Sequence, residues 1–382
     1  MTGGVNFWAD RRQIRDGTRL DVTYDMAKLW TIAYPTLTPE QQASYKDLKI
    51  AGKYTKTFTL SGAFPAAPTL AQSIKSLNAD GSLTIDLLDT MGLRIERFSP
   101  QVKMTRGVVT LSGSPAVANS GSMSFDGIVV DMTQVEPTLS IPKNKKLLQG
   151  VKLDTALAST LGKMGAIVFT NASTADGALS FTAVNCDRLP LGQFNQPNKN
   201  YSASFILAVD DLLLDGPVLK VLAAVAQLGT GGIQGRIPPS TLKVNNGLAD
   251  TNLTVEIARS VRERNGQTGL QGMPLNFAGG VNLTTLDLKD FKVSIPPEML
   301  PPDIRKFSSN GLVVPLKGNA TKPNVDFDPA KFLRDNAVKG LIGGNGNGDN
   351  PVGDLLKGLG GGGNNEQQPQ QTQPRRQRNQ GQ

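Results

Sequence analysis

The sequence contains no histidine and a single cysteine, Cys186. Without imidazole there is no Ser-His-Asp or Cys-His triad, no histidine general base and no histidine-ligated zinc or haem, so most common catalytic constellations are excluded. One cysteine also excludes a disulfide framework within the chain. Flanked by Asp187 and Arg188, with no histidine to activate it, Cys186 reads as a structural thiol. Aromatic residues make up 5% of the 382 positions, and no apolar run of about 18 residues, the length a membrane-spanning helix needs, occurs. The start, Met1-Thr-Gly-Gly-Val-Asn-Phe-Trp8, lacks the basic and apolar regions of an export signal. Val5 and Phe7 already alternate there, so the expectation is a fragment of a longer protein that begins in mid-domain.

What is abundant is Gly (41) and Pro (24), with hydrophobic residues at 38%. That balance suits many short strands and turns around a thin core. Two-residue alternation is the dominant pattern, and it places successive side chains on opposite faces of a sheet. It runs through Leu83 and Ile85; Met123 and Phe125, then Ile128, Val130 and Met132; Leu179, Phe181 and Ala183; and Tyr201 to Val209. Later runs are Leu253 to Ile257, Met273 to Phe277, Phe291 to Ile295 and Leu312 to Leu316. Gly, Asn-Asp or Pro punctuation between them predicts a mainly β fold, an antiparallel meander of roughly a dozen strands.

Few helices interrupt it. Asp215-Gly-Pro217 opens one, with Asp215 as cap, Val218, Val221, Leu222, Val225 and Leu228 at helical spacing and Gly229 as terminator. Leu153, Leu157 and Leu161 mark a second, Thr38-Pro-Glu-Gln41 a third through its capping-box spacing, and Asp328-Pro329 a fourth.

The net charge is +8, but basic and acidic residues are mostly interspersed. The densest clusters, Lys143, Lys145, Lys146 and Lys152, then Arg259, Arg262 and Arg264, read first as solvated faces and second as contacts for an anionic membrane surface. From Gly343 the composition turns to Gly and Asn and then to Gln, Pro and Arg, which predicts a disordered tail. Pro374-Arg-Arg-Gln-Arg378 within it is too weak a signal to predict specific nucleic-acid binding. No segment carries a phosphate-binding loop, and Asp210, Asp211 and Asp215 lack the spacing of a calcium loop. No cofactor or metal is implied, and a non-enzymatic protein is expected.

Residues 236–257, then Gly272-Met-Pro-Leu-Asn-Phe277, then Leu312-Val-Val-Pro-Leu-Lys-Gly-Asn-Ala-Thr-Lys-Pro-Asn-Val-Asp326, follow one another in an order that resembles the C-terminal region of AsmA-like proteins, a group related to TamB and the bridge-like lipid-transfer proteins. The Val-Pro-Leu-x-Gly strand before the last helix carries most of the likeness, and Leu93 to Leu111 resembles a further strand pair. The resemblance implies a sheet curled into an elongated apolar groove or open half-barrel that holds or conducts lipid acyl chains. It further implies a periplasmic or envelope location, an inner-membrane anchor N-terminal to this chain, and a role in outer-membrane biogenesis or lipid homeostasis. The expected lining is Phe125, Ile128, Val130, Phe205, Leu207, Phe277, Val293 and Val314. The expected organisation is the end of a preceding β-rich unit over 1–68, the groove region over 69–342 and the tail over 343–382. The alternative is a structural or interaction β-sandwich with a flexible tail and no lipid cargo, in which two apolar faces pair and none is left uncovered.

Overall fold

The computed structural model describes residues 3–7, 10–134, 136–191, 201–226, 232–262, 268–328, 331–332 and 334. Met1–Asp326 form one compact unit and Phe327–Gln382 a second. In the second, the backbone N–H of Lys331 donates to Asp328 Oδ1 (3.0 Å) and that of Phe332 to the Asp328 carbonyl (2.9 Å), so the helical start expected at Asp328 is formed. Gly229 and the tail from Gly343 lie outside the described residues.

The first unit is mainly β. Among the described residues 22 strands join in one antiparallel sheet, as the alternation predicts. The sheet is not closed into a barrel: Val5–Phe7 at one end pairs only with Arg11–Asp25, and Lys322–Val325 at the other only with Leu312–Asn319. It crosses the boundary expected near residue 68 without a break, since Lys53–Pro65 pairs with Leu77–Ser82.

Many of the strands are halves of longer, bent runs. Leu77–Ser82 and Ile85–Thr90 are parted by two residues, and the following runs are interrupted at 99–100, 113–115, 124–128 and 142–144. Register brings these interruptions together. Ser82 faces Gln101 and Ile85 faces Phe98 on either side of the first gap; Gln101 faces Ser112 and Glu96 faces Val117 around the next; Val129 faces Ser140 and Met123 faces Leu148 around the last. The gaps therefore align into one crease that crosses the strands and ends at Thr174–Pro190. That strand runs through unbroken, pairing Thr138–Ile141 with one half and Lys145–Lys152 with the other.

The crease has a local chemical cause. Pro100 and Pro142 have no N–H for a ladder, and Gly113 (φ 139°) and Gly127 (φ 81°) adopt backbone that other residues rarely do. Apolar side chains converge inside it: Phe98 meets Phe125 edge-to-face at 4.6 Å, and Ile85, Pro100, Phe125 and Ile128 are buried. Where the ladder lapses at Leu83–Thr84, Tyr24 supplies the missing bonds. Its hydroxyl accepts from the Thr84 N–H (2.7 Å) and donates to the Thr84 carbonyl (3.0 Å). Tyr24→Phe is expected to cost about 1–2 kcal/mol, because it strands two backbone groups at the crease. Urea unfolding measures this, and an unchanged midpoint would mean the crease does not depend on Tyr24.

The helices are short: α1 Met26–Ala33, α2 Pro39–Tyr45, α3 Leu70–Ser76, α4 Thr155–Lys163, α5 Pro217–Ala226 and α6 Pro302–Phe307. Sequence spacing predicts α2, α4 and α5 and misses the others. Asp154 caps α4 by accepting from the Leu157 N–H at 2.8 Å. A full capping box stands at Thr69 and Gln72 on α3. At the expected box before α2 the Gln42 amide donates to the carbonyls of Tyr34 and Leu37.

Asp215, expected as the cap of α5, accepts from Ser173 Oγ (2.9 Å) and Lys220 Nζ (3.1 Å). The Ser173 hydrogen bond first, and Lys220 second, hold its carboxyl below the usual carboxylate range. The folded group thus stays ionised where the unfolded one is protonated. Its contribution is present above the ordinary carboxylate range and is lost as pH falls through the lowered value. Asp215→Asn is expected to flatten the acid limb of the stability profile below about pH 4, which thermal melts across pH 3–7 would show.

Candidate functional site

The alternation of the strands makes the sheet two-faced, and register turns its faces into rows. On one face Leu60, Ala79, Met104, Val109, Val130, Leu139 and Leu189 oppose one another in succession across seven neighbouring strands. Alongside, Leu20 opposes Phe58, and Gly81 opposes Val102, which opposes Leu111. The Phe58 ring lies over Gly81 so closely that a Cβ there would fall 2.5 Å from it. The other face carries Thr59, Asp80, Lys103 and Thr110 in register, with Thr23 bonded to Thr55 (2.8 Å) and Thr57 donating to Asp21 (2.6 Å). One side of residues 11–148 is therefore oily and the other polar.

Exposure divides the oily side in two. Along the first row and beside it Leu20, Phe58, Met104, Val109, Val130 and Leu139 keep part of their surface uncovered, whereas Leu60 and, across the crease, Ile85, Ile95, Ala116 and Ala118 are buried. From Thr174 onward the equivalent rows are covered. Leu253, Phe277, Val293 and Val314 oppose one another across four strands and are at most 3% exposed.

The cover is a segment of the chain itself. After α4, residues 165–170 are all buried, with Phe169 at 0% exposure and Ile167 and Val168 at 1%. Thr251 Oγ1, on the same face as Leu253, donates to the Gly165 carbonyl (2.9 Å). Thr170 Oγ1 donates to the Ala320 carbonyl (2.8 Å), and the Asn171 amide to that of Thr321 (2.7 Å). The Thr251 and Thr170 bonds satisfy buried polar groups of the inserted segment, without which a loop in the interior would be costly. Gly165 sits at φ 111° with Thr251, Leu242 and Ala249 around it, leaving no room for a side chain. Val218, Leu219 and Leu222 of α5 and Met299, Leu300 and Ile304 around α6 are buried as well.

No protein-family model, curated protein or solved structure matches the chain.

The structure places the eight expected lining residues as follows. Phe125 (1% exposed) and Ile128 (9%) lie in the crease. Phe205 (9%) stacks on Phe181 at 5.0 Å, and Leu207 (2%) belongs to the next row. Phe277, Val293 and Val314 share the covered row with Leu253. Only Val130 is half-buried. Seven of the eight are thus covered by protein atoms and behave as core. Met104, Val109 and Leu139, which sequence reasoning passed over, share the half-buried row with Val130. Val102 and Met104 do alternate with Gln101, Lys103 and Thr105 ahead of Arg106-Gly107, and that short signal is what would have found them.

Among the described residues no group of three or more His, Cys, Asp or Glu is placed to hold a metal ion. Asp210, Asp211 and Glu256 line a shallow pocket with Arg236, whose guanidinium binds Glu256 at 2.6 Å. Cys186 is buried at 1% exposure, and burial pushes its thiol up, away from the thiolate. Among the clustered lysines, Lys145 pairs with Asp126 at 3.7 Å. The side chains of Arg259, Arg262 and Arg264 and the whole of Pro374–Arg378 lie outside the described residues. Among the described residues no helix is long and apolar enough to cross a membrane.

Proposed function

We propose that this chain is a non-enzymatic lipid-holding protein, and that acyl chains of a phospholipid lie against the apolar side of residues 11–148. The observation that carries this reading is the contrast within one sheet. The same alternating pattern is filled by the chain's own residues 165–170 in one half and left half-covered in the other. A row of seven apolar positions at about 4.8 Å per strand extends about 30 Å, enough for an extended acyl chain. Covering such surface is worth about 25 cal/mol per Å². The AsmA-like resemblance points the same way and brings with it the expectation of an envelope location, an anchor outside this chain and a part in outer-membrane lipid homeostasis.

The sandwich alternative finds its support in the second half, where the interior is packed. The test is extraction and mass spectrometry of lipid from the chain purified without detergent. Phospholipid at a fixed stoichiometry is the expected result, and a lipid-free protein in membrane-containing lysate would refute the proposal.

A further inference from the structure

The two ends of the open sheet are built differently. Lys322–Val325 at the far end is four residues long and carries a lysine and Pro323, both of which blunt an edge against further pairing. The near end has no such guard. Val5–Phe7 pairs with residues 12–14, and Gly4 accepts from the Arg15 N–H (3.0 Å) and donates to Thr18 Oγ1 (3.4 Å). Beyond Thr18, residues 19–25 pair with Lys53–Pro65 on one side and with no described strand on the other. Helix α1 turns away from this edge, since the Met26 N–H donates to the Gly52 carbonyl (2.9 Å) and the helix packs on Lys49–Ala51. Alternate backbone groups of residues 19–25 therefore face outward in a row.

The side chains along the edge indicate what pairs with it. Arg19, Asp21, Thr23 and Asp25 lie on the polar face opposite Thr59, Thr57, Thr55 and Lys53, while Leu20, Val22 and Tyr24 lie on the oily face. Arg19, Asp21 and Thr23 are exposed. A second copy laid antiparallel about a two-fold axis at Val22 sets Arg19 against Asp25, Asp21 against Thr23, Leu20 against Tyr24 and Val22 against itself. Each pair matches in charge or polarity, and the oily face continues from one copy into the next. Two of these pairs repeat chemistry already present in the sheet: Asp21 accepts from Thr57 Oγ1 (2.6 Å), and Asp25 stands opposite a cation in Lys53. The sequence also singles out this register. An axis at Asp21 would set that carboxylate against itself, and an axis at Thr23 would set Asp21 against Asp25, like charges directly opposed.

We propose that residues 19–25 are a self-pairing edge, by which two copies of the chain join antiparallel into one continuous sheet with Val22 on the two-fold axis. That the joined sheet offers acyl chains one longer oily face rests on the function proposed above; the pairing itself does not.

The test is sedimentation of the full chain at micromolar concentration, with a dimer as the expected result. Arg19→Glu and Val22→Lys should each weaken self-association several-fold, because on a two-fold axis one substitution alters both copies and places like charges opposite each other. Both positions keep surface exposed, so circular dichroism should be unchanged. Position is read by crosslinking. With Cys186→Ala removing the one native thiol, Val22→Cys should oxidise to a disulfide-linked dimer, since side chains directly opposed across antiparallel strands come within reach of one. Val313→Cys, at a position 56% exposed elsewhere in the sheet, should not. A monomeric chain, a dimer indifferent to Arg19→Glu and Val22→Lys, or equal crosslinking at the two cysteines would overturn the proposal. So would a dimer that disappears only when residues 361–382 are removed. A lipid-free dimer that responds to the edge substitutions would count against the lipid-holding face and uphold the self-pairing edge.

Discussion

Phe169→Ala is expected to destabilise the protein by about 3–5 kcal/mol, whereas Val109→Ala is expected to cost about 1 kcal/mol or less. Both residues are apolar and both face the oily side of the sheet. Phe169 has no exposed surface, and it lies in a segment whose neighbours Ile167 and Val168 are equally covered. Removing its ring leaves a cavity that the surrounding strands cannot close, because Gly165 and Thr170 tie the segment to Thr251 and Ala320. Val109 opposes Met104 and Val130 and keeps part of its surface exposed, so its truncation removes less buried surface. Urea unfolding of the two variants measures the difference. Equal losses would mean that the two halves of the face are packed alike.

The second large effect concerns cargo. Met104→Glu together with Val130→Glu is expected to abolish co-purifying phospholipid while lowering stability by no more than about 1–2 kcal/mol, since partly exposed carboxylates retain much of their hydration. Val255→Glu is the contrasting change. Val255 is fully buried opposite Leu275, so an ionised carboxylate there would lack both water and partner, and loss of the fold is expected. Mass spectrometry of extracted lipid, normalised to protein, reads the first variant, and circular dichroism reads both. Retention of lipid by Met104→Glu/Val130→Glu at the original stoichiometry would place the cargo elsewhere or remove it from the account.

How much of this was legible in the residues follows from what each feature depends on. The strands from Tyr201 onward were plain, because Tyr201 to Val209 and Leu253 to Ile257 alternate without interruption, and alternation is a local property. The crease was not, because Phe125 and Ile128 look like one apolar run broken by Asp126-Gly127. Only the pairing of Met123 with Leu148 and of Val129 with Ser140 turns that break into part of a line across the sheet. Seven of the eight residues expected to line a groove are buried for a related reason. Choosing the largest apolar residues in the clearest strands selects positions such as Phe277 and Val293, and those are what a protein buries first. The inserted segment was hidden because Gly165-Ala-Ile-Val-Phe169 reads as a short strand, and it becomes a 3-10 turn at Ile167–Phe169 only under strands far along the chain. Helix α1 escaped notice because eight residues carry too little periodicity to stand out from the strand they continue.

Site-specific photocrosslinking addresses the central claim most directly. With a benzophenone side chain at Met104, Val109 or Val130, irradiation in intact cells is predicted to attach phospholipid to the protein; at Val255 or Leu275 it is predicted to yield only crosslinks within the chain. Lipid adducts at neither set of positions, or equally at both, would contradict a sheet that is open to acyl chains along residues 11–148 and filled by its own chain beyond them.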